Sequence, residues 1–139
     1  MTIYELNKYM NERIPRTLSC SWDNDGLMCC PNGNREVKKA LFCMDVTPEA
    51  IDFAIDGGYD LIISHHPLIF KGVKTVAGDF GIPSRIIKLI KNDVSVMSFH
   101  TRFDAVDGGV NDGAVTITAD NMKGEDVFTK ENKMPLLTF

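Results

Sequence analysis

Between Lys39 and Phe99 the chain alternates short apolar runs with helix-length segments. That rhythm restricts the fold more than any other feature. Lys39–Met44 is mostly apolar and ends at Asp45-Val46-Thr47-Pro48. Thr47 suits a helix N-cap and Pro48 the first helical position. Ile51, Ala54 and Ile55 stand at helical spacing, and Gly57-Gly58 stops that helix. Leu61-Ile62-Ile63 is a fully apolar second strand that runs into His65-His66-Pro67. Ile86, Leu89 and Ile90 predict a helix over roughly 83–92, and Val94–Phe99 a third strand that runs into His100. Strands separated by single helices predict an α/β fold, with a mainly parallel sheet joined by right-handed crossover helices.

The flanks are simpler. Thr2 followed by Glu5 is a capping box for an amphipathic helix over 2–14, with Ile3, Leu6, Met10 and Ile14 near one face and Pro15 at its end. Trp22–Leu27 and Pro31–Asn34 are turn-rich, and Leu27–Cys30 between them reads as a short strand. Gly108-Gly109 reads as a turn into a helix that Asn111 or Asp112 would cap. The last 20 residues are polar and weakly patterned.

In a parallel sheet, ligands gather beyond the carboxyl ends of the strands. The first strand ends in Asp45, the second in His65-His66, and the third in His100, with Asp104 four positions on. The chain has 3 histidines, and all stand at these ends. Imidazole with carboxylate suits zinc, iron, nickel or manganese better than calcium. His65, His66 and Asp104 are the candidate metal ligands. His100 is the candidate catalytic residue, carrying a proton or orienting Asp104 or a bound water. Adjacent histidines on an extended strand point to opposite sides, which suits two ions, or one ligand and one supporting residue. Asp45 reads as a turn former. Arg102, Lys71 and Lys74 read as solvated charges, and Trp22 as a packing residue.

Composition narrows the class. The 139 residues suffice for one domain. No apolar run approaches the ~20 residues of a membrane span, and the N-terminus lacks a signal-peptide pattern, so a cytoplasmic location is expected. A net charge of −4 argues against nucleic acid as a partner. Cysteines at 20, 29, 30 and 43 form no Cys-x-x-Cys pair and read as reduced thiols.

Several long motifs in order resemble one family. They are Trp22-Asp23-Asn24-Asp25-Gly26-Leu27, Ser64-His65-His66-Pro67-Leu68-Ile69-Phe70, His100-Thr101-Arg102-Phe103-Asp104, and Gly108-Gly109-Val110-Asn111-Asp112. Together they look like the signatures of the Nif-three-like family (Ngg-interacting factor three), whose members also bear the name GTP cyclohydrolase 1 type 2 homolog. Asp45-Val46-Thr47-Pro48 is similar to the segment after that family's first core strand. The resemblance covers roughly 1–114, read as the α/β domain, and leaves 115–139 as a divergent tail. It implies a three-layer fold, a dinuclear metal centre with His65, His66 and Asp104 among its ligands, and a homo-oligomeric ring, commonly a hexamer. A later His-x-x-x-Glu pair completes the family's two-metal site, and no histidine follows His100 here. Arg102-Phe103 stands where Asn-Leu is common.

The strand-end residues point to a divalent-metal-binding protein, expected to be a metal-dependent hydrolase. That its substrate is a nucleotide or other small phosphate ester is what the resemblance implies. A noncatalytic metal-binding module for protein interaction and assembly is the alternative.

Overall fold

The computed structural model describes residues 1–111 and the backbone of 137–138. Helix α1 (Ile3–Arg13) starts at the expected capping box: Thr2 accepts from the Glu5 amide, and the Glu5 carboxylate accepts from the Thr2 amide. Strand β1 (Gly26–Cys29) follows a short 3-10 turn at Arg16–Leu18. The expected alternation then appears as β2 (Lys39–Cys43), α2 (Pro48–Asp56), β3 (Leu61–Ser64), α3 (Gly81–Lys91), β4 (Ser95–Ser98) and the short α4 (Thr101–Ala105). Thr47 caps α2 by accepting from the Ala50 amide, with Pro48 in its first turn. Beyond α2, Gly58 takes φ +66°, a left-handed conformation that glycine adopts without steric cost.

The sheet order is β1-β4-β3-β2-β5, where β5 is the two-residue edge Leu137–Thr138. β2, β3 and β4 are parallel, while β1 runs antiparallel to β4 and β5 antiparallel to β2. Two side-chain layers follow from the two-residue period of the strands. Leu41, Ile62 and Val96 pack with Ile51 and Ala54 of α2 and with Ile86 and Leu89 of α3. Ala40, Leu61, Ile63, Met97 and Phe99 pack with Ile3 and Leu6 of α1. The result is three layers, with α1 on one face of the sheet and α2 with α3 on the other. Ile62 is fully buried, and truncating such a side chain to alanine costs about 2–5 kcal/mol.

Two local expectations shift. Helix α3 begins before Pro83, at Gly81. Proline is tolerated there because first-turn amides have no intrahelical acceptor. Asn111 already lies in helical backbone rather than capping it, and its side-chain Nδ2 donates back to the Asp104 carbonyl at 2.9 Å. Asp112 and the expected tail over 115–139, apart from β5, lie outside the described residues.

Candidate metal centre

The carboxyl ends of β3 and β4 are in register, with Ser64 opposite Ser98. Their hydroxyls are 2.8 Å apart, and Ser64 Oγ also donates to the His66 carbonyl at 2.9 Å. Past Ser64 the chain bends rather than continuing as strand. The His65 amide still donates to Cys43 O and the His66 amide to Met44 O, at 3.0 and 2.8 Å. The bend corrects the expectation that adjacent histidines point apart. That rule holds for extended backbone, and here the two ring centroids are 5.0 Å apart.

His100 completes the cluster from the end of β4. Its ring lies 5.2 Å from that of His65 and 5.6 Å from that of His66. One ligand nitrogen from each histidine falls within 4.8 Å of the others, so the three could hold a metal ion. Asp104, one turn along α4, joins through His65, its Oδ1 being 3.7 Å from His65 Nε2. That gap is too long for a hydrogen bond. It is near the roughly 3.4 Å separating two ligands of one tetrahedral zinc.

Two of the rings are oriented by carboxylates. His66 Nδ1 sits 2.8 Å from Asp45 Oδ1, and His100 Nδ1 sits 3.0 Å from Asp23 Oδ1. Such carboxylate–imidazole pairs fix the ring and leave the opposite nitrogen, Nε2, for a ligand. His65 differs: its Nδ1 is buried without a hydrogen-bond partner among the described residues. A buried polar atom in that state is costly unless something reaches that nitrogen itself. With no charged donor beyond imidazole and carboxylate, the set fits a borderline metal such as zinc, iron, nickel or manganese.

Local sequence gives Asp23 no role, since a turn-rich motif does not name a carboxylate's partner. Its carboxylate is sealed from solvent and also accepts from the Thr101 amide and hydroxyl at 3.1 and 2.6 Å. Burial pushes this carboxyl's pKa up, but the bonds from Thr101 and His100 outweigh it and hold the group below its ordinary value. Asp45 also gains a role beyond turn formation, as the partner of His66.

Arg102 departs furthest from expectation. It is 0% exposed, not solvated. Its Nε lies 3.0 Å from Asp25 Oδ2, and its Nη1 donates to Asn11 Oδ1 at 2.6 Å and Ile14 O at 3.1 Å. Ser19 donates to the same Asp25 carboxylate at 3.0 Å. This buried pair ties α4, which carries Asp104, to the loop that carries Asp23. Gly26 is required beside it: its φ is +108°, and a Cβ there would approach Arg102 Nη2 to 3.3 Å. Gly109 has a packing reason too, since a Cβ would meet the Phe103 carbonyl at 2.1 Å. Lys71 and Lys74 are exposed, as expected. Trp22 is not a packing residue in the core, being largely exposed beside His100.

The fold and the cluster together define a three-layer α/β protein with a histidine-rich site at the carboxyl edge of its parallel strands. The chain belongs to the Duf34/NIF3 (NGG1p interacting factor 3) family, whose profile matches residues 1–128. A Clostridium perfringens protein named GTP cyclohydrolase 1 type 2 homolog is 38% identical over 123 residues, covering 87% of this chain and 46% of the relative. The crystal structure of Staphylococcus aureus protein SA1388 superposes with TM-score 0.80 at 37% identity, covering 86% of this chain and 38% of that one. A Bacillus cereus protein related to NIF3 superposes with TM-score 0.74 at 37% identity, covering 81% and 30%. The chain thus spans less than half the length of each of these relatives. Among the described residues, no helix is long and apolar enough to cross a membrane.

Proposed function

We propose that this chain binds a divalent metal ion through His65, His66 and Asp104, with His100 beside them, and that the bound ion serves hydrolysis of a nucleotide or other small phosphate ester. The observation that carries this reading is the convergence of three histidine nitrogens within 4.8 Å of one another, with Asp104 Oδ1 3.7 Å from His65 Nε2. The names of the relatives agree with it but leave the substrate open. When bound, a divalent ion supplies Lewis acidity and water of lowered pKa, toward ~7.

The residues of the chain would divide the work. His65, His66 and Asp104 hold the ion. His100 faces the same point and, through Nε2, either joins the ligands or carries a proton to and from the reacting oxygen. Asp45 and Asp23 fix the rings of His66 and His100, so that neither must reorient as charge develops. Ser64 and Ser98 lock the two strand ends beneath them.

The test is metal content and affinity for the unmodified chain and for the single alanine variants of His65, His66, His100 and Asp104, followed by hydrolysis assays with and without added zinc or manganese. Metal binding that survives all four substitutions would remove the reading. Metal binding without hydrolysis would favour a second one, a noncatalytic metal-binding module for assembly or protein interaction. A homo-oligomer, as in a hexameric ring, is proposed on family membership, and light scattering measures it.

A further inference from the structure

Two large aromatic side chains stand open beside the histidine cluster. Trp22 is 61% exposed and Phe70 46%. Their centroids are 6.1 Å apart with planes at 69°. Trp22 also lies 6.1 Å from the His100 ring at 72°, and Phe70 6.5 Å from it at 89°. Every contact is edge to face, so none of these rings is stacked on another. Side chains of this size bury 150–250 Å² when used for packing. Here a large part of that surface is left to solvent.

The pair is held in place rather than dangling. Asn24 Nδ2 donates to the Ile69 carbonyl at 2.5 Å, joining the loop of Trp22 to the loop of Phe70. The Asn24 amide donates to Asp23 Oδ1 at 2.8 Å, and the same Asp23 oxygen holds His100 Nδ1. Trp22, Phe70 and the histidines therefore form one connected unit. A planar ring laid on the indole would bring its substituent next to His100, the histidine of the cluster that Trp22 adjoins. The chain's net charge of −4 makes it a poor surface for a nucleic-acid strand.

We propose that Trp22 and Phe70 form the ring-binding wall of this site and that its ligand is a nucleotide, the base stacked on the indole and the phosphate directed to the histidine cluster. The proposal rests on the metal reading above and narrows it, because a ring-free phosphate ester gains nothing from this wall. Base–aromatic stacking is sequence-tolerant, so the wall selects for a heteroaromatic ring rather than for one base.

Calorimetry on zinc- or manganese-loaded protein, with metal content measured separately for each variant, compares a purine nucleoside monophosphate (AMP or GMP) with ribose 5-phosphate. The nucleotide is expected to bind tighter by about 5- to 150-fold, the equivalent of stacking one base. Trp22→Ala and Phe70→Ala are expected to shrink that ratio toward one, and Trp22→Phe to restore most of it. Trp22 is the one tryptophan of the chain, so its fluorescence should be quenched by the nucleotide and unchanged by ribose 5-phosphate. Equal affinities for the two ligands overturn the proposal. So does a Trp22→Ala variant that weakens both alike, or one that changes the oligomer mass and neither affinity. If the chain binds no metal, the metal reading falls by itself and the wall is tested with guanosine on metal-free protein. Saturable quenching there sustains the wall, and its absence overturns it.

Discussion

The two ends of the parallel strands carry charged and polar groups in opposite states. At the amino end, Asp60 precedes β3 and Asp93 precedes β4, and Arg35 bridges them. Arg35 Nη2 is 2.6 Å from Asp60 Oδ1, and its Nη1 is 2.7 Å from Asp93 Oδ2. The other Asp60 oxygen accepts from the amides of Lys38 and Lys39 at 2.8 and 3.0 Å. Asp60 thus has both oxygens engaged. At the carboxyl end, among the described residues, His65 has an unpartnered buried nitrogen, and His66 and His100 are each held through Nδ1. Saturated groups fix a structure, whereas groups with spare valence can bind something else. The same fold thus has one end whose polar groups are saturated and one whose histidines keep a nitrogen to spare.

The largest expected effect tests the saturated end. Asp60→Ala strips two backbone amides and a half-buried guanidinium of their acceptor. It should cost about 3 kcal/mol, read as a lower urea midpoint with unchanged slope. His66→Ala, at the exposed side of the other end, should shift metal-free stability by less than about 0.5 kcal/mol. If the two variants lose stability alike, the contrast fails.

Next in size is the reverse experiment. Asp23→Asn and Asp45→Asn should each weaken metal binding by about 10- to 100-fold, the usual range for a carboxylate that orients a ligating histidine. Asp60→Ala, compared while folded, should bind metal as the unmodified chain does. Isothermal titration with zinc reads both, and equal losses at the two ends would erase the division.

A smaller effect comes from pH. Burial raises the pKa of Asp60, but the bonds from Lys38, Arg35 and Lys39 outweigh it, so its folded value lies below the ordinary 3.8. A lowered carboxyl pKa contributes stability that is complete above the unfolded value. That contribution is lost as pH falls through the unfolded value toward the folded one. The stability gap between the unmodified chain and Asp60→Asn should therefore be constant near neutrality and close progressively below about pH 5. Urea titrations at stepped pH check this, and a gap that widens in acid would contradict the sign.

The smallest effect concerns the thiols. Burial pushes the thiols of Cys29 and Cys43 up to about 11, with lesser contributions from Cys30 and Asp45 respectively. Cys20 is exposed. Near pH 8, Cys20 should react first with an alkylating reagent, while Cys29 and Cys43 lag until the chain is unfolded. Rapid labelling of Cys43 in the native protein would show that the carboxyl end holds an activated thiolate as well as histidines.

Much of the fold was legible because its signals are local. The Thr2–Glu5 box, the Thr47-Pro48 start, the Gly57-Gly58 stop and the three apolar runs each act within a few residues, and the structure has all of them where they were read. The site was legible in outline for a related reason: strand ends in a parallel sheet must converge, so His65, His66 and His100 had to be neighbours. Trp22 and Arg102 were read the wrong way round. Tryptophan is usually packed and arginine usually solvated, and only their surroundings reverse this.

Sequence by itself determined the parallel α/β order, the caps and the set of residues available at the carboxyl edge, because periodicity and capping are properties of short segments. Tertiary structure decided how those residues meet. The bend after Ser64 turned His65 and His66 toward one point. The return of residues 20–25 to β4 and α4 supplied Asp23 to His100 and Asp25 to Arg102, across 77 positions for the first pair. No local pattern encodes a partner that distant, since a carboxylate's role depends on which group the folded chain places beside it, and on whether water is left between them.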